Sequence, residues 1–290
     1  MIANLIVGGL AAGCLYAMVG IAIVIVLNIT DIANFAQGEM AMVTTFFAYW
    51  LLDSVGLPWW EGVTLAILFG LVQGIVIQQV IIRPLIGSPV LSAIIATLGL
   101  NIVLNSVAGL IWGHQTYTFP SPLTFMPPLM LGSVPVPVTS VANIVVALII
   151  IIALTLFLRF TWTGLGLRAA SQNQTVARLM GISITRTSAI AWGLGGLVGG
   201  IAGILVAPAL FLDTNLMGAL LIKAFAGAVL GGLTSLIGVF LGCLALGVAE
   251  NLSSAYVSPS FGEAVTFLII IAVLVMRPEG VFGRVKVRKA

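Results

Sequence analysis

Charge is what this sequence has least of. Only 7% of its 290 residues are Asp, Glu, Lys or Arg, 61% are hydrophobic, and mean hydropathy is +1.25. Soluble domains carry charge on about a quarter of their residues, so this chain cannot cover a water-facing surface. Cysteine is nearly missing: Cys14 and Cys243 lie in apolar segments, with no metal-ligand spacing and no evident disulfide, and read as small buried hydrophobes. One histidine, His114, leaves no His-based metal cluster and reads as interfacial. No GxxxxGK[ST] occurs, which excludes ATP binding by a P-loop, and no GxSxG occurs either. No nucleophile–base set can be assembled, which argues against a membrane enzyme. The net charge of +3 gives no reason to expect nucleic acid as a partner. No basic residue precedes the first apolar run, unlike a secretory signal, so residues 1–27 are expected to be a mature first span.

What the chain has in abundance is long apolar runs. They lie near 5–27, 33–52, 62–82, 90–112, 140–158, 187–207, 216–232, 236–256 and 262–276. A helix needs about 20 apolar residues to cross the hydrocarbon core. The runs lack the alternation of membrane β-barrel strands. The expected fold is therefore all-α: a polytopic membrane helical bundle of about 8–9 transmembrane segments, treated as one domain over 1–290. The run at 216–232 is short, Gly-rich and interrupted by Lys223, so it is the one expected to be re-entrant or broken. Gly195, Gly199 and Gly203 form one stripe, with Gly196 and Gly200 beside it, and Gly227 with Gly231 and Gly238 with Gly242 repeat the spacing. Such stripes let helix backbones approach closely in lipid.

Basic residues mark the cytoplasmic side. Arg83 lies between two spans, Arg159, Arg168, Arg178 and Arg186 share one loop, and Arg277, Arg284, Lys286, Arg288 and Lys289 crowd the C-terminus. Segments 53–61 and 113–139 have no Lys or Arg. With all nine runs crossing, the N-terminus is expected outside and the C-terminus inside. The loop 113–139 holds Pro120, Pro122, Pro127, Pro128, Pro135 and Pro137 and reads as a structured, non-helical external segment.

Loop 159–186 is the longest polar stretch on the basic side. Ser171 followed by Gln174 fits a capping box that would start a short helix. Val176, Ala177, Leu179 and Met180 supply an apolar ridge, and Gly181 stands where a left-handed C-cap would end the helix. Two readings stay open on the residues: a helix that docks in a partner's groove, or an amphipathic helix on the membrane surface.

Asp31, Asn34, Gln37 and Glu39 are polar groups packed into the start of the second run. Asp31 is expected to cap the following helix. Intramembrane polar groups usually face protein or water, so Asn34, Gln37 and Glu39 are candidates for a translocation path, in a span expected to be bent or broken. Lys223 and Glu250 are looser candidates; Lys223 could instead snorkel to an interface, and Glu250 could be wet.

Six strings in order resemble the LivH-type permeases of branched-chain amino acid ABC importers: LYAMVGIAIVIV (15–26), NFAQGEM (34–40), RPLIGSPVLSAIIATLGLNIVL (83–104), TGLGLRAASQNQTVARLMGI (163–182), LIKAFAGAVLGGLTSLIG (221–238) and RPEGVFG (277–283). The resemblance runs nearly end to end. It implies a multi-pass inner-membrane permease paired with a second homologous permease, identical or not, with two cytoplasmic ATP-binding subunits and a periplasmic substrate-binding protein. No cofactor is expected on this chain; ATP and Mg would be used by the partner subunits. The resemblance also resolves the open reading of 163–182 as the segment that couples to the ATPase, through Ala170, Asn173, Ala177, Arg178 and Gly181. The family commonly reads NFAHGE where this chain has NFAQGE; Gln37 can hydrogen-bond but cannot titrate near neutral pH. Related permeases for urea and short-chain amides share most of these strings and stand as the alternative cargo. A passive channel and an ion-coupled secondary transporter stand as alternatives of another class.

Overall fold

The computed structural model describes residues 2–131, 134–277 and 280–283. The basic residues Arg284, Lys286, Arg288 and Lys289, and two positions of RPEGVFG, lie outside the described residues.

Eleven helices form the described chain: α1 Ile2–Thr30, α2 Gln37–Asp53, α3 Trp59–Ile77, α4 Val90–Trp112, α5 Val138–Phe160, α6 Trp162–Gln172, α7 Gln174–Leu179, α8 Ile184–Leu210, α9 Gly218–Gly231, α10 Leu236–Tyr256 and α11 Pro259–Met276. α3 runs on as a π turn, Gln78–Ile82, and a 3₁₀ turn, Arg83–Leu85, before Pro89 precedes α4. The expected runs 90–112 and 236–256 coincide with α4 and α10.

Among the described residues, six helical segments are long and apolar enough to cross a membrane: Ile2–Thr30, Trp59–Leu85, Leu91–Trp112, Val138–Phe160, Ile184–Leu210 and Leu236–Tyr256. α2 has 17 residues and α9 only 14. At about 1.5 Å per residue α9 is roughly 21 Å long, short of the ~30 Å hydrocarbon core. Length and composition alone single out these six among the described residues; α2, α9 and α11 are the three further apolar helices of the nine expected runs.

Among its described residues up to Pro137, the Pro-rich segment is non-helical apart from one 3₁₀ turn at Pro122–Phe125; α5 begins at Val138. It carries a short antiparallel hairpin of β1 Leu129–Leu131 and β2 Val134–Val136. Tyr117 pairs in an isolated bridge with Leu212, just beyond α8.

The chain divides into two compact units. One comprises Ile25–Pro122 and Ile152–Leu220. Here α2 packs against α3, α4 and α8, and α6 and α7 pack on α8. Its core holds Val26, Met40, Ile82, Leu100 and Trp192. The glycine stripes explain the closeness of these helices. A Cβ on Gly196 would strike the Gly70 carbonyl, and one on Gly74 the Trp192 carbonyl, so α3 and α8 meet backbone to backbone. Gly199 and Gly203 make the same allowance for the Gln37 and Thr45 side chains of α2.

The other unit comprises Met1–Val24, Leu123–Ile151 and Leu221–Ala290. It repeats the device. Gly231 and Gly238 face each other's carbonyls between α9 and α10, and Gly13 meets Gly247 between α1 and α10. Cys14 and Cys243 are buried here and free.

The close approach is testable. Gly196→Val should lower thermal stability in detergent, since overpacking costs about 1–3 kcal/mol even where side chains can shift and here the neighbour is backbone. Gly99→Ala, with nothing within 4 Å of its Cβ position, should leave the melting temperature unchanged or slightly raised.

Candidate translocation and coupling sites

The chain leaves helical geometry after Thr30 and re-enters it at Gln37. Asp31 takes φ 56, a left-handed conformation tolerated best by Gly, Asn and Asp, and its N–H donates to the Leu27 carbonyl at 2.9 Å. Asp31 thus ends α1 and does not cap α2, which corrects the sequence expectation. The start of α2 is shaped by Asn34. Its Oδ1 accepts from the Ala36 N–H at 3.1 Å, and its backbone carbonyl accepts from the Gln37 N–H at 3.3 Å. Asn34 lies nearer the first helical turn and can fold back on it, which Asp31 cannot.

No water reaches backbone groups buried in a bilayer, so a broken helix must find partners in the protein. They come from one stripe of α4. Thr97 donates to the Ala33 carbonyl and Asn101 to the Phe35 carbonyl, each at 3.3 Å. One turn further, Asn105 donates to Glu39 Oε2 at 3.3 Å and to the Thr214 carbonyl at 2.7 Å. The spacing 97, 101, 105 puts all three on one helix face. Sequence reasoning missed this ladder, although three polar residues at intervals of four in an apolar run were visible.

Gln37 is 0% exposed and engaged at both ends of its amide: Oε1 accepts from Asn34 Nδ2 at 3.1 Å and Nε2 donates to the Gly195 carbonyl of α8 at 2.9 Å. Asn34 is 2% and Glu39 9% exposed. Thr44 donates to Gln73 Oε1 at 3.2 Å, and Gln78 Nε2 to Ser188 Oγ at 3.2 Å, adding polar links of α2 to α3 and of the π turn to α8. Among the described residues, Gln78 Oε1 and Trp192 Nε1 are the buried side-chain atoms without a partner.

Thr214 follows α8 through Phe211, a non-glycine residue at φ 62, ψ 164. A bulky side chain at this φ is a strained position. It is held by the Tyr117–Leu212 bridge, and Tyr117 in turn bonds the Trp112 carbonyl. His114 is exposed, with Nδ1 3.5 Å from Thr214 Oγ1.

Lys223 and Glu250 are brought together in the other unit. Lys223 Nζ lies 2.5 Å from Glu250 Oε1, with the two side chains 19% and 13% exposed. Tyr16 donates to Glu250 Oε2 at 3.0 Å, and Lys223 sits 5.8 Å from its ring centroid. Neither charge is left to an interface or to water alone, the alternatives the sequence offered beside a place on the path. Tyr16 was missed because a lone Tyr in an apolar span has no pattern.

Loop 159–186 forms two helices, not one. α6 is amphipathic, with Thr161 capping it through Gly164 N–H. Ser171 belongs to α6 and bonds back to the Arg168 carbonyl, so it caps nothing. Asn173 is the true cap of α7: extended at φ −159, it breaks the helix, and its Oδ1 accepts from Thr175 and Val176 N–H at 2.9 and 3.0 Å. Gly181, at φ 83, ends the turn as expected, with Ile182 N–H on the Ala177 carbonyl. Ala170 and Ala177 are buried, so Ala177 belongs to the inner face of α7 and not to its ridge. Arg178 is exposed, beside Val176, Leu179 and Met180, the last two about four-fifths exposed at 82% and 78%.

Apolar helices of this length and number define a polytopic α-helical membrane protein. A family profile described as the branched-chain amino acid transport system permease component matches residues 5–274. The chain belongs to that family. It is 30% identical over 295 residues, 97% of this chain and 95% of the relative, to the high-affinity branched-chain amino acid transport system permease protein LivH of Escherichia coli (strain K12). It is 30% identical over 297 residues to the corresponding permease protein BraD of Pseudomonas aeruginosa, covering 98% and 96% of the two chains. A probable branched-chain amino acid transport permease protein of Methanocaldococcus jannaschii is 27% identical over 271 residues, 88% and 84% of the two.

Two outcomes follow for the purified chain. Asn105→Leu leaves the Thr214 carbonyl and Glu39 without their donor and should cost about 1–3 kcal/mol in reversible unfolding. Lys223→Met or Glu250→Leu alone, each leaving one charge unpaired, should cost about 3 kcal/mol or more, and the double replacement less than either single.

Proposed function

We propose that this chain is one of two permease subunits of an ABC importer for branched-chain or other hydrophobic amino acids. ATP hydrolysis by two separate subunits drives it, and a periplasmic binding protein delivers the cargo. The observation that carries the reading is family membership over 5–274, joined to relatives of near-equal length whose names assign branched-chain amino acid transport.

The charge asymmetry supports the orientation. Arg83 and the four arginines of loop 159–186 face the cytoplasm together with the C-terminus, and the N-terminus and the Pro-rich segment face outward. α7 docks on an ATPase subunit. Leu179 and Met180 enter its groove, Arg178 flanks them, Asn173 and Gly181 fix the ends of the helix, and Ala170 and Ala177 seat it on the permease.

The break at 31–36 borders the path. Asn34 and Gln37 hold it, and Glu39, the most exposed of the three, offers its second carboxylate oxygen. Lys223 and Glu250 supply a second polar position. A largely apolar route with few polar points suits a cargo with an apolar side chain that must be released and not retained. In this mechanism Glu39 binds and orients, and carries no proton across.

Reconstituted vesicles holding the permease pair, ATPase and binding protein should take up leucine only with ATP, and urea or small polar amino acids far more slowly. Glu39→Gln, which still accepts from Asn105, should keep ATP-dependent leucine uptake. Uptake that survives ATP depletion and is abolished by Glu39→Gln would instead identify an ion-coupled carrier.

A further inference from the structure

Gln174 opens α7 but spends its side chain elsewhere. Nε2 donates to the Ile29 carbonyl at 2.9 Å and to Asp31 Oδ2 at 3.4 Å. Ile29 lies in the last turn of α1, where carbonyls have no partner further along the helix. Asp31 is the left-handed residue that ends it. One amide therefore joins the coupling segment to the point where α1 gives way to the broken stretch.

This tie differs in kind from the rest of the α7 seat. Ala170 and Ala177 contribute non-directional apolar contact, which permits sliding. A hydrogen bond fixes distance and direction. Beyond Asp31 the chain reaches Gln37 in six residues, pinned along the way to Thr97 and Asn101 and then to the Gly195 carbonyl. A cavity of about 120 Å³ lies against the tie, lined by Thr30, Asp31, Ser88, Gln174 and Ser188 among others, so the end of α1 has room to move with α7.

We propose that Gln174 is the positioning residue through which displacement of α7 is passed to the helix break. The proposal rests on the reading of α7 as the ATPase-docking helix. What travels is a push or pull on the end of α1, and what carries it is the donor at position 174.

The test uses the assembled importer in vesicles. Gln174→Ala and Gln174→Glu remove the donor. They should keep the ATPase subunits bound yet lower both leucine-stimulated ATP hydrolysis and leucine uptake about tenfold, within the range seen for residues along coupling networks. Gln174→Lys restores a donor to both oxygens and should return uptake to within about twofold of the parent. The proposal is overturned if Gln174→Ala transports like the parent, if it loses the ATPase subunits, or if Gln174→Lys fails as the alanine variant does. Leu179→Asp probes docking separately and should lose the ATPase subunits. Their retention would remove the docking reading, while the ratio of uptake between the alanine and lysine variants would still decide the role of Gln174.

Discussion

The chain between α1 and α2 leaves helical geometry among buried residues, where its amides and carbonyls must find partners in the protein, and the unit around α2 is organised by that constraint. The non-helical stretch 31–36 is met by α4, whose Thr97 and Asn101 donate to the Ala33 and Phe35 carbonyls while Asn105 on the same stripe holds Glu39, and by Gln37, which bridges Asn34 to the Gly195 carbonyl. Each unmet group in a hydrocarbon setting would cost several kcal/mol. The ladder is therefore a condition for the break and not an addition to it. It also explains why α2, the most polar of the apolar helices at its start, is among the most buried.

The same constraint sets how the helices are packed. Gln37 reaches the Gly195 carbonyl because the glycine stripe of α8 keeps side chains out of the way, and α3 closes on α8 through Gly70, Gly74 and Gly196. Polar links and small residues are thus one device. The small residues bring backbones near enough for short side chains to find them. Lys223, Glu250 and Tyr16 apply the same economy of reach in the other unit, where three helices contribute one group each.

Much of this architecture was legible in the sequence. The apolar runs located every long helix, because hydropathy is a strong signal when the solvent is lipid, and Gly181 was read correctly because its left-handed turn is a local property. Local rules failed where partners come from afar. Asp31 was assigned to the helix after it, when its backbone in fact closes the helix before it. Ser171 matched a capping pattern, but α6 continues through it and Asn173 takes the role. The runs 33–52, 216–232 and 262–276 fall on the shorter helices α2, α9 and α11. Of the site, Asn34, Gln37, Glu39, Lys223 and Glu250 stood out as polar in oil. What they bond to did not: Asn105 and Tyr16 went unread, and Gly195 stood out only as a packing glycine.

Asp31 has a consequence of another sort. With φ at 56, its backbone sits where a β-branched or bulky side chain collides with the preceding carbonyl. Asp, Asn, His and Gly fit there with the least strain, and other side chains at a cost of about 1–2 kcal/mol. Single-base changes of an aspartate codon reach Asn, His and Gly directly, and also Val, Ala, Tyr and Glu, of which the β-branched Val fits worst. Position 31 is therefore a narrow crossing in the space of neighbouring sequences, where the cheapest steps are the three that keep a left-handed residue at the end of α1.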